Sequence, residues 1–168
     1  MTLNKTGRVM VVGGGIAGIQ SSLDLANSGF HVYLVESSPT IGGLMARLDK
    51  TFPTNDCAMC ILSPKLVECG RHLNIDILSY SEVEEIEGQP GQFTVTVRKK
   101  ARYIDVSKCT GCSDCVGVCP VDRPNEFENF LNTRKATFRP FPQAFPNAFT
   151  IEKKGTANCQ AACPLEQK

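Results

Sequence analysis

The stretch RVMVVGGGIAGIQSSLDLANSGFHVYLVE, residues 8–36, limits the possible folds of this chain more than any other feature. Arg8 to Val12 is a run rich in β-branched residues, typical of a buried parallel strand. Three glycines break it, and from Ile16 apolar residues recur at helical spacing as far as Gly29, a good helix stop. A second apolar run, Phe30 to Val35, follows. The pattern predicts a βαβ unit and therefore an α/β fold.

The glycine spacing in this unit predicts a dinucleotide site. Gly13 permits a tight turn, Gly15 lets a pyrophosphate approach the backbone, and Gly18 allows close packing of helix on strand. The helix begins at Ile16 and Ala17, where unpaired N–H groups and the positive end of the helix dipole favour a phosphate. Glycine-rich turns also occur for purely steric reasons, but here strand, turn, helix and strand follow in register, which favours dinucleotide binding.

Glu36 and the pair Gly42-Gly43, near the end of the second strand, indicate which dinucleotide is expected to bind. Glu36 lies 18 residues after Gly18 and is expected to accept hydrogen bonds from an adenosine ribose, which argues against the 2′-phosphate of NADP. FAD and NAD remain the alternatives. The pair Gly42-Gly43 favours FAD, because in flavoproteins that resemble this sequence such a pair passes close to the pyrophosphate.

From Asn74 the pattern changes to short runs with alternating apolar residues. NIDILSY and EVEEIEG precede the turn signal Gln89-Pro90-Gly91, and QFTVTVRKK follows it. The sequence therefore predicts a small antiparallel meander appended to the βαβ unit. The acids between Glu82 and Glu87 are expected to form a solvated face.

The nine cysteines all lie beyond residue 56, and the first three are in DCAMCILSPKLVECG. Cys57 and Cys60 form a C-x-x-C pair with three interpretations that the residues leave open. The pair ligates iron with two cysteines from elsewhere, or is a redox dithiol like that of flavin-dependent disulfide reductases, or consists of two buried thiols at the start of a helix. Cys69, nine residues further along an apparent helix, is expected to be a core residue.

The segment CTGCSDCVGVCP, residues 109–120, predicts an iron–sulfur site. The spacing of Cys109, Cys112, Cys115 and Cys119 before a proline matches the bacterial ferredoxin run for a 4Fe–4S cluster. Three of these thiolates can reach one cluster from a tight loop, while Cys119 is expected to begin a helix and to ligate a second cluster. A zinc knot or a disulfide framework fits less well, because zinc sites normally pair two C-x-x-C units across a longer gap.

Ligands for a second cluster would have to lie downstream. Cys159 and Cys163 have the C-x3-C-P spacing, but Lys153 and Thr156 stand where the two preceding cysteines would be. The second motif is therefore incomplete as it stands.

These motifs predict three segments. Residues 1–100 form a partial FAD-binding Rossmann-like domain, residues 101–151 an inserted ferredoxin-like 4Fe–4S domain, and residues 152–168 the incomplete start of a further iron–sulfur segment.

Charge and hydropathy exclude several classes of partner. The 18 Lys and Arg residues nearly cancel the 17 Asp and Glu residues, so neither a nucleic acid nor an anionic membrane is an expected partner. The apolar stretches are far shorter than the roughly 20 residues of a membrane span. MTLNKTGR leads into the first strand without a signal-peptide pattern, so a cytoplasmic location with reduced cysteines is expected.

Together, these residues resemble the N-terminal part of the FAD and iron–sulfur subunit of heterodisulfide reductase and of its bacterial relatives. The resemblance runs from Arg8 to Ile151 and includes GGGIAGIQSSLDLA, VYLVE, IGGLMARLDKTFPTNDCAMCILSPK, the ferredoxin run and RPFPQAFPNAFTI. It implies a thioredoxin-reductase-like FAD domain interrupted by an inserted ferredoxin domain, in a protein that passes or bifurcates electrons among flavin, clusters and partner subunits.

The resemblance also implies roles for individual residues. It gives the FAD role to the glycines of the turn and to Glu36, and the cluster role to the cysteines of the ferredoxin run. Cys57 and Cys60 match the C-x-x-C of the family itself, whereas Cys69 matches no family motif. The segment GTANCQAACP resembles the iron–sulfur entry to the small chain of glutamate synthase.

Three functions follow as hypotheses. The leading one is an electron-transfer flavo-iron–sulfur oxidoreductase of an anaerobic complex, which is not active alone and needs other subunits or a C-terminal continuation to complete its FAD domain. A second is a non-catalytic ferredoxin-like adaptor whose Rossmann half is a docking scaffold. A third is a flavin-dependent dithiol reductase that uses Cys57 and Cys60.

Overall fold

A computed structural model describes residues 7–152. The chain forms two compact units: an N-terminal unit that ends at Lys100 and a C-terminal unit that begins at Ala101. The N-terminal unit contains β1 (Arg8–Val12), α1 (Ile16–Asn27), β2 (His31–Glu36), a 3₁₀ helix (Gly43–Arg47), α2 (Ala58–Arg71), β3 (Ile75–Ser79), β4 (Ser81–Gln89) and β5 (Gln92–Lys99). The C-terminal unit contains α3 (Asp114–Gly117), β6 (Asp122–Pro124), β7 (Thr133–Lys135), β8 (Thr137–Phe138) and β9 (Thr150–Ile151).

A three-stranded parallel sheet in the order β1-β2-β3 organises the N-terminal unit. Its register pairs Arg8 with His31 and Val32 with Ile75. The middle strand β2 is the most buried, and α1 packs on it through an apolar stripe at helical spacing that includes Ile19 and Leu23. Helix α2 connects β2 to β3 and packs against α1, so the core lies between the sheet and the two helices.

The predicted βαβ unit is confirmed. Strand β1 has the predicted bounds, and α1 ends two residues before Gly29. The expected burial of β1 is wrong, because its residues are half-buried or exposed. Gly29 has a φ of +91°, and its N–H donates to the carbonyl of Ala26 while that of Phe30 donates to the carbonyl of Leu25. This is the Schellman arrangement, in which a glycine in the left-handed region satisfies the last carbonyls of a helix.

The predicted antiparallel meander is wrong for its first strand. The segment NIDILSY forms β3, which pairs in parallel with β2, and only β4 and β5 are antiparallel. Strand β3 is the last in the order of its sheet, with Ile75 buried and Asp76 exposed. The alternation of Ile75, Asp76 and Ile77 in the sequence fits either kind of strand, so the pattern alone does not identify the neighbour of β3.

Strands β4 and β5 form a hairpin whose turn falls at the predicted Gln89-Pro90-Gly91. Its acids face solvent as expected and pair with cations across the strands, since Arg98 lies 3.0 Å from Glu82 and 3.1 Å from Glu84. Ile86 and Phe93 on the hairpin are also exposed.

Short antiparallel strand pairs, β6 with β7 and β8 with β9, form the C-terminal unit. Phe127 stacks on Phe141 with ring centroids 5.7 Å apart, and Ala136 and Phe149 are buried. The expectation that Cys119 begins a helix is wrong. The one-turn helix α3 ends before Cys119. In the described part of the chain, no helix follows Cys119, because the next residues extend into β6, which pairs with β7.

The predictions for Cys159, Cys163 and the segment 152–168 lie almost entirely outside the described residues, which end at residue 152. Within residues 7–152, no helix is long and apolar enough to cross a membrane.

Candidate cofactor sites

The turn between β1 and α1 explains each glycine of the predicted dinucleotide motif. Gly13 has a φ of +103°, and its N–H donates to the carbonyl of Val35 at 2.8 Å, which joins the turn to β2. A Cβ atom on Gly18 would overlap the carbonyl oxygen of Gly13, so only glycine lets the helix pack this closely. The fold itself therefore requires two of the three glycines.

Gly15 differs from its neighbours, because the folded chain does not require a glycine there. Its φ of −74° and ψ of −179° are extended backbone that any residue adopts, and a Cβ atom would meet nothing within 4 Å. The turn therefore leaves open space at Gly15, directly before the N-terminus of α1. Within the described chain, α1 has neither a side-chain cap nor an acidic residue in its first turn, so no side chain there satisfies its first N–H groups.

Glu36 lies at the end of β2, where its carboxylate is fixed from both sides. Oε2 accepts a hydrogen bond from the N–H of Gly14 at 2.6 Å, and Oε1 accepts from the N–H and Oγ of Ser38 at 2.7 and 2.6 Å. Neither Gly14 nor Ser38 is among the site residues predicted from the sequence. A signal for Gly14 was present in the run of three glycines, since the motif explains only the first and third.

The pair Gly42-Gly43 packs directly on the glycine turn between β1 and α1. The N–H of Gly42 donates to the carbonyl of Gly14 at 2.7 Å, and a Cβ atom on Gly43 would lie 2.8 Å from the Cα of Gly15. Both residues have positive φ, 130° and 58°. The structure thus brings Gly42 and Gly43 next to Gly14 and Gly15.

The Cys57-x-x-Cys60 pair is a disulfide at the start of α2. The two Cα atoms are 5.2 Å apart, Cys57 is the N-cap, and its sulfur accepts the N–H of Cys60 at 3.2 Å. Both residues are exposed, so the interpretation as two buried thiols is wrong, although the helix start is where it was expected.

Cys69 is a core residue, as predicted. It follows Ala58, Leu62 and Leu66 on the buried face of α2 and is itself fully buried. Burial, with a smaller contribution from the charge of Glu68, raises the pKa of the Cys69 thiol to about 11. A thiol that resists ionisation in this way is neither a good nucleophile nor a good metal ligand.

The cysteines of the ferredoxin run lie around α3 as thiols. Cys112 is exposed, Cys109 and Cys115 are half-buried, and Cys119 is buried, with its sulfur 3.7 Å from the carbonyl oxygen of Val121. Across residues 7–152, no three His, Cys, Asp or Glu side chains converge to hold a metal ion. The chemistry of the donors nevertheless fits, because four thiolates are the ligand set of a 4Fe–4S cluster.

Two family models match this chain. The model described as FAD dependent oxidoreductase matches residues 8–56, and the model described as 4Fe-4S binding domain matches residues 102–122. The matches confirm FAD and 4Fe–4S clusters as the cofactors.

Curated relatives extend these matches over most of the chain. An iron–sulfur subunit of the CoB–CoM heterodisulfide reductase of Methanopyrus kandleri is 57% identical over 87% of this chain. A subunit of the H(2):CoB-CoM heterodisulfide,ferredoxin reductase of Methanothermobacter thermautotrophicus is 52% identical over 90% of it. A protein of Archaeoglobus profundus, named as similar to a heterodisulfide reductase subunit, is 53% identical over 92% of it.

The chain is homologous to the iron–sulfur subunit of heterodisulfide reductase. It spans 22% of the length of the M. kandleri and A. profundus relatives and 23% of the M. thermautotrophicus one. Among solved structures, L-proline dehydrogenase from P. horikoshii matches with a TM-score of 0.48 and 23% identity, over 56% of this chain and 20% of that one.

The two family models together cover both groups of motifs. The match to the FAD model includes the glycine turn, Glu36 and the Gly42-Gly43 pair, and the match to the cluster model includes the four cysteines of the ferredoxin run. The C-x-x-C pair at Cys57 begins one residue after the FAD match ends.

Proposed function

We propose that this chain is part of an electron-transferring oxidoreductase subunit, in which FAD and 4Fe–4S clusters exchange electrons. One observation carries the proposal: the same chain has an open pyrophosphate cradle at Gly15, before an uncapped helix, and a complete ferredoxin cysteine run. A flavin exchanges either one or two electrons, so it can connect a two-electron donor to one-electron clusters.

The flavin site is proposed residue by residue. Gly13 and Gly18 shape the turn, the space at Gly15 admits the pyrophosphate, and the N–H groups of Ile16 and Ala17 donate to it. In this proposal Gly42 and Gly43 close the far side of the cradle. Glu36 orients the turn through Gly14 and accepts hydrogen bonds from the ribose.

The cluster site is proposed on the C-terminal unit, with a ferredoxin-like arrangement. Cys109, Cys112 and Cys115 ligate one cluster, and Cys119 ligates the same cluster or a second one. The support is the uninterrupted spacing of the run and its match to the 4Fe–4S model.

The complex in which the chain works is also part of the proposal. The M. thermautotrophicus relative is named as one subunit of a heterodisulfide and ferredoxin reductase. Its similarity to this chain supports the proposal that the chain works in a complex of the same type, in the cytoplasm, with neighbouring subunits as its electron donors and acceptors.

Anaerobic purification followed by counts of FAD, iron and sulfide, and then by stepwise reduction, tests the proposal. Flavin and clusters present together, both reduced by one donor, are expected. Iron without flavin would favour the ferredoxin-like adaptor, and flavin without iron would exclude the cluster site.

A second candidate, the dithiol reductase, is favoured by one observation: the exposed disulfide between Cys57 and Cys60 at the start of α2. A helix N-terminus lowers the pKa of a thiolate at the N-cap, which suits exchange with another disulfide. A Cys57→Ser variant separates the interpretations. If the variant keeps the iron content of wild type but lacks a disulfide that the reduced flavin can reduce, Cys57 and Cys60 are a redox pair. Loss of iron supports ligation.

A further inference from the structure

Gly111, between Cys109 and Cys112, has two polar side chains directly behind its α-carbon. Its φ is +72°, and a Cβ atom there would lie 2.9 Å from Nη1 of Arg139 and 3.0 Å from Oδ1 of Asn147. The cysteine loop is thus in contact with a side-chain pair that belongs to none of the motifs with an assigned role.

The pairing of β8 with β9 explains why Arg139 and Asn147 lie next to each other. Phe138 of β8 pairs with Thr150 of β9, so the residue that follows β8 and the residues before β9 leave the strands at the same end. Arg139 and Asn147 meet there, and Nη1 of Arg139 donates a hydrogen bond to Oδ1 of Asn147. The guanidinium also lies 5.1 Å from the centre of the Phe149 ring.

The contacts of Arg139 leave its charge without an anionic partner. Asn147 is neutral, the Phe149 ring contributes only its quadrupole, and within residues 7–152 no carboxylate forms an ion pair with Arg139. Arg134 in the same unit contrasts with it, because it pairs with Glu126 at 3.3 Å and Glu152 at 2.8 Å. Arg139 therefore brings an uncompensated positive charge to the loop that joins two of the cluster cysteines.

We propose that Arg139, fixed by Asn147, is a positioning residue that raises the reduction potential of the cluster held by the Cys109 loop. The inference rests on the proposed function, since it requires a cluster at these cysteines. Each one-electron reduction adds a negative charge to a cluster, and a nearby cation stabilises the reduced form. Arg139 would thus make this cluster an easier electron acceptor than the loop alone.

The test compares Arg139→Gln, Arg139→Lys and Lys135→Gln in the anaerobically purified protein, by iron count and by redox titration followed with electron paramagnetic resonance. Lys135 is the control, because it is a cation of the same unit that already pairs with Asp122 at 3.0 Å. We expect full iron in all three, a more negative midpoint potential in Arg139→Gln, and a potential near that of wild type in Arg139→Lys and Lys135→Gln.

Several results would overturn the inference. A wild-type potential and line shape in Arg139→Gln with full iron would show that the charge has no effect. If Arg139→Gln fails to assemble the cluster, Arg139→Lys decides: assembly at the wild-type potential supports the role of the charge, and failure shows that only the shape of arginine matters. Absence of any cluster from the wild-type protein would instead refute the proposed function itself.

Discussion

The Glu36 carboxylate and the backbone N–H of Gly14 are joined by a 2.6 Å hydrogen bond, which ties the end of β2 to the middle of the glycine turn. Because the other oxygen accepts two hydrogen bonds from Ser38, the carboxylate is surrounded by donors before any ligand arrives. The residue expected to bind the ribose therefore also supports the turn that would bind the pyrophosphate.

The first prediction follows from this double role. Glutamine has an NH2 group in place of one carboxylate oxygen. In Glu36→Gln this NH2 group must face either the N–H of Gly14 or the donors of Ser38, which removes at least one hydrogen bond to a charged group, worth about 1.5–3 kcal/mol. Because these hydrogen bonds exist before any ligand binds, we expect the apoprotein to lose stability of this order. We expect FAD affinity to fall by roughly 10- to 100-fold, because the ribose also loses a charged acceptor. Flavin fluorescence titration measures the affinity. Glu85→Gln, at an exposed position of β4, is the control and should bind as wild type.

The second prediction separates the two kinds of glycine. Gly15→Val places its Cβ atom in open space, so the apoprotein should still fold, with only the small loss of stability of a poorer N-cap, while FAD binding is lost. Gly18→Ala forces a methyl group against the carbonyl of Gly13 and should destabilise the N-terminal unit, by roughly 1–3 kcal/mol for an overpacked site. Thermal unfolding of the apoproteins and flavin counts distinguish them. A Gly15→Val protein with full FAD would show that the pyrophosphate lies elsewhere.

The third prediction concerns the ferredoxin run. Cys112→Ser removes an exposed thiol from the loop and should lower the iron content by close to one cluster, while the N-terminal unit still folds. Cys69→Ala is the matched control, because Cys69 is fully buried in α2 and should not affect iron. Equal iron in wild type and Cys112→Ser would be incompatible with a cluster at this loop.

The fourth prediction is a pH dependence that originates at Cys69. Its pKa is about 11 in the folded protein and 9.0 as an ordinary thiol, so above pH 9 the unfolded chain loses a proton that the folded chain keeps. This contribution to stability is therefore complete below pH 9 and decreases as the pH rises toward 11, by up to roughly 1.4 kcal/mol per pH unit.

Cys69→Ala lacks this proton, so the stability difference between wild type and the variant should shrink from pH 8.5 to pH 10.5. Denaturant unfolding of the apoproteins at a series of pH values measures the difference. A difference that stays constant with pH would show that Cys69 ionises as readily in the folded chain as in the unfolded one.

The sequence was sufficient to predict the βαβ unit because each of its signals is local. The run Arg8–Val12, the helical spacing from Ile16 and the stop at Gly29 each act within a few residues, and the structure confirms all three. The role of Gly14 was not visible, because it depends on Glu36, a residue 22 positions away that β2 brings alongside.

The predictions for β3 and for the residues after Cys119 are wrong, because pairing with other strands determines the structure of both segments. The same alternation suits a half-buried antiparallel strand and the last strand of a parallel sheet, so β3 was assigned to the wrong neighbour. Residues after Cys119 could have continued as a helix, but pairing of β6 with β7 extends them instead. The approach of Arg139 to Gly111 also depends on strand pairing, between β8 and β9, and no spacing in the sequence indicates it.

Cofactor counts in the anaerobically purified wild type, Gly15→Val and Cys112→Ser proteins decide whether one chain carries both a flavin and a ferredoxin-type cluster. We expect FAD together with iron and sulfide in wild type, loss of FAD with retained iron in Gly15→Val, and loss of about four iron atoms with retained FAD in Cys112→Ser. Iron and FAD contents that match wild type in both variants would contradict this expectation.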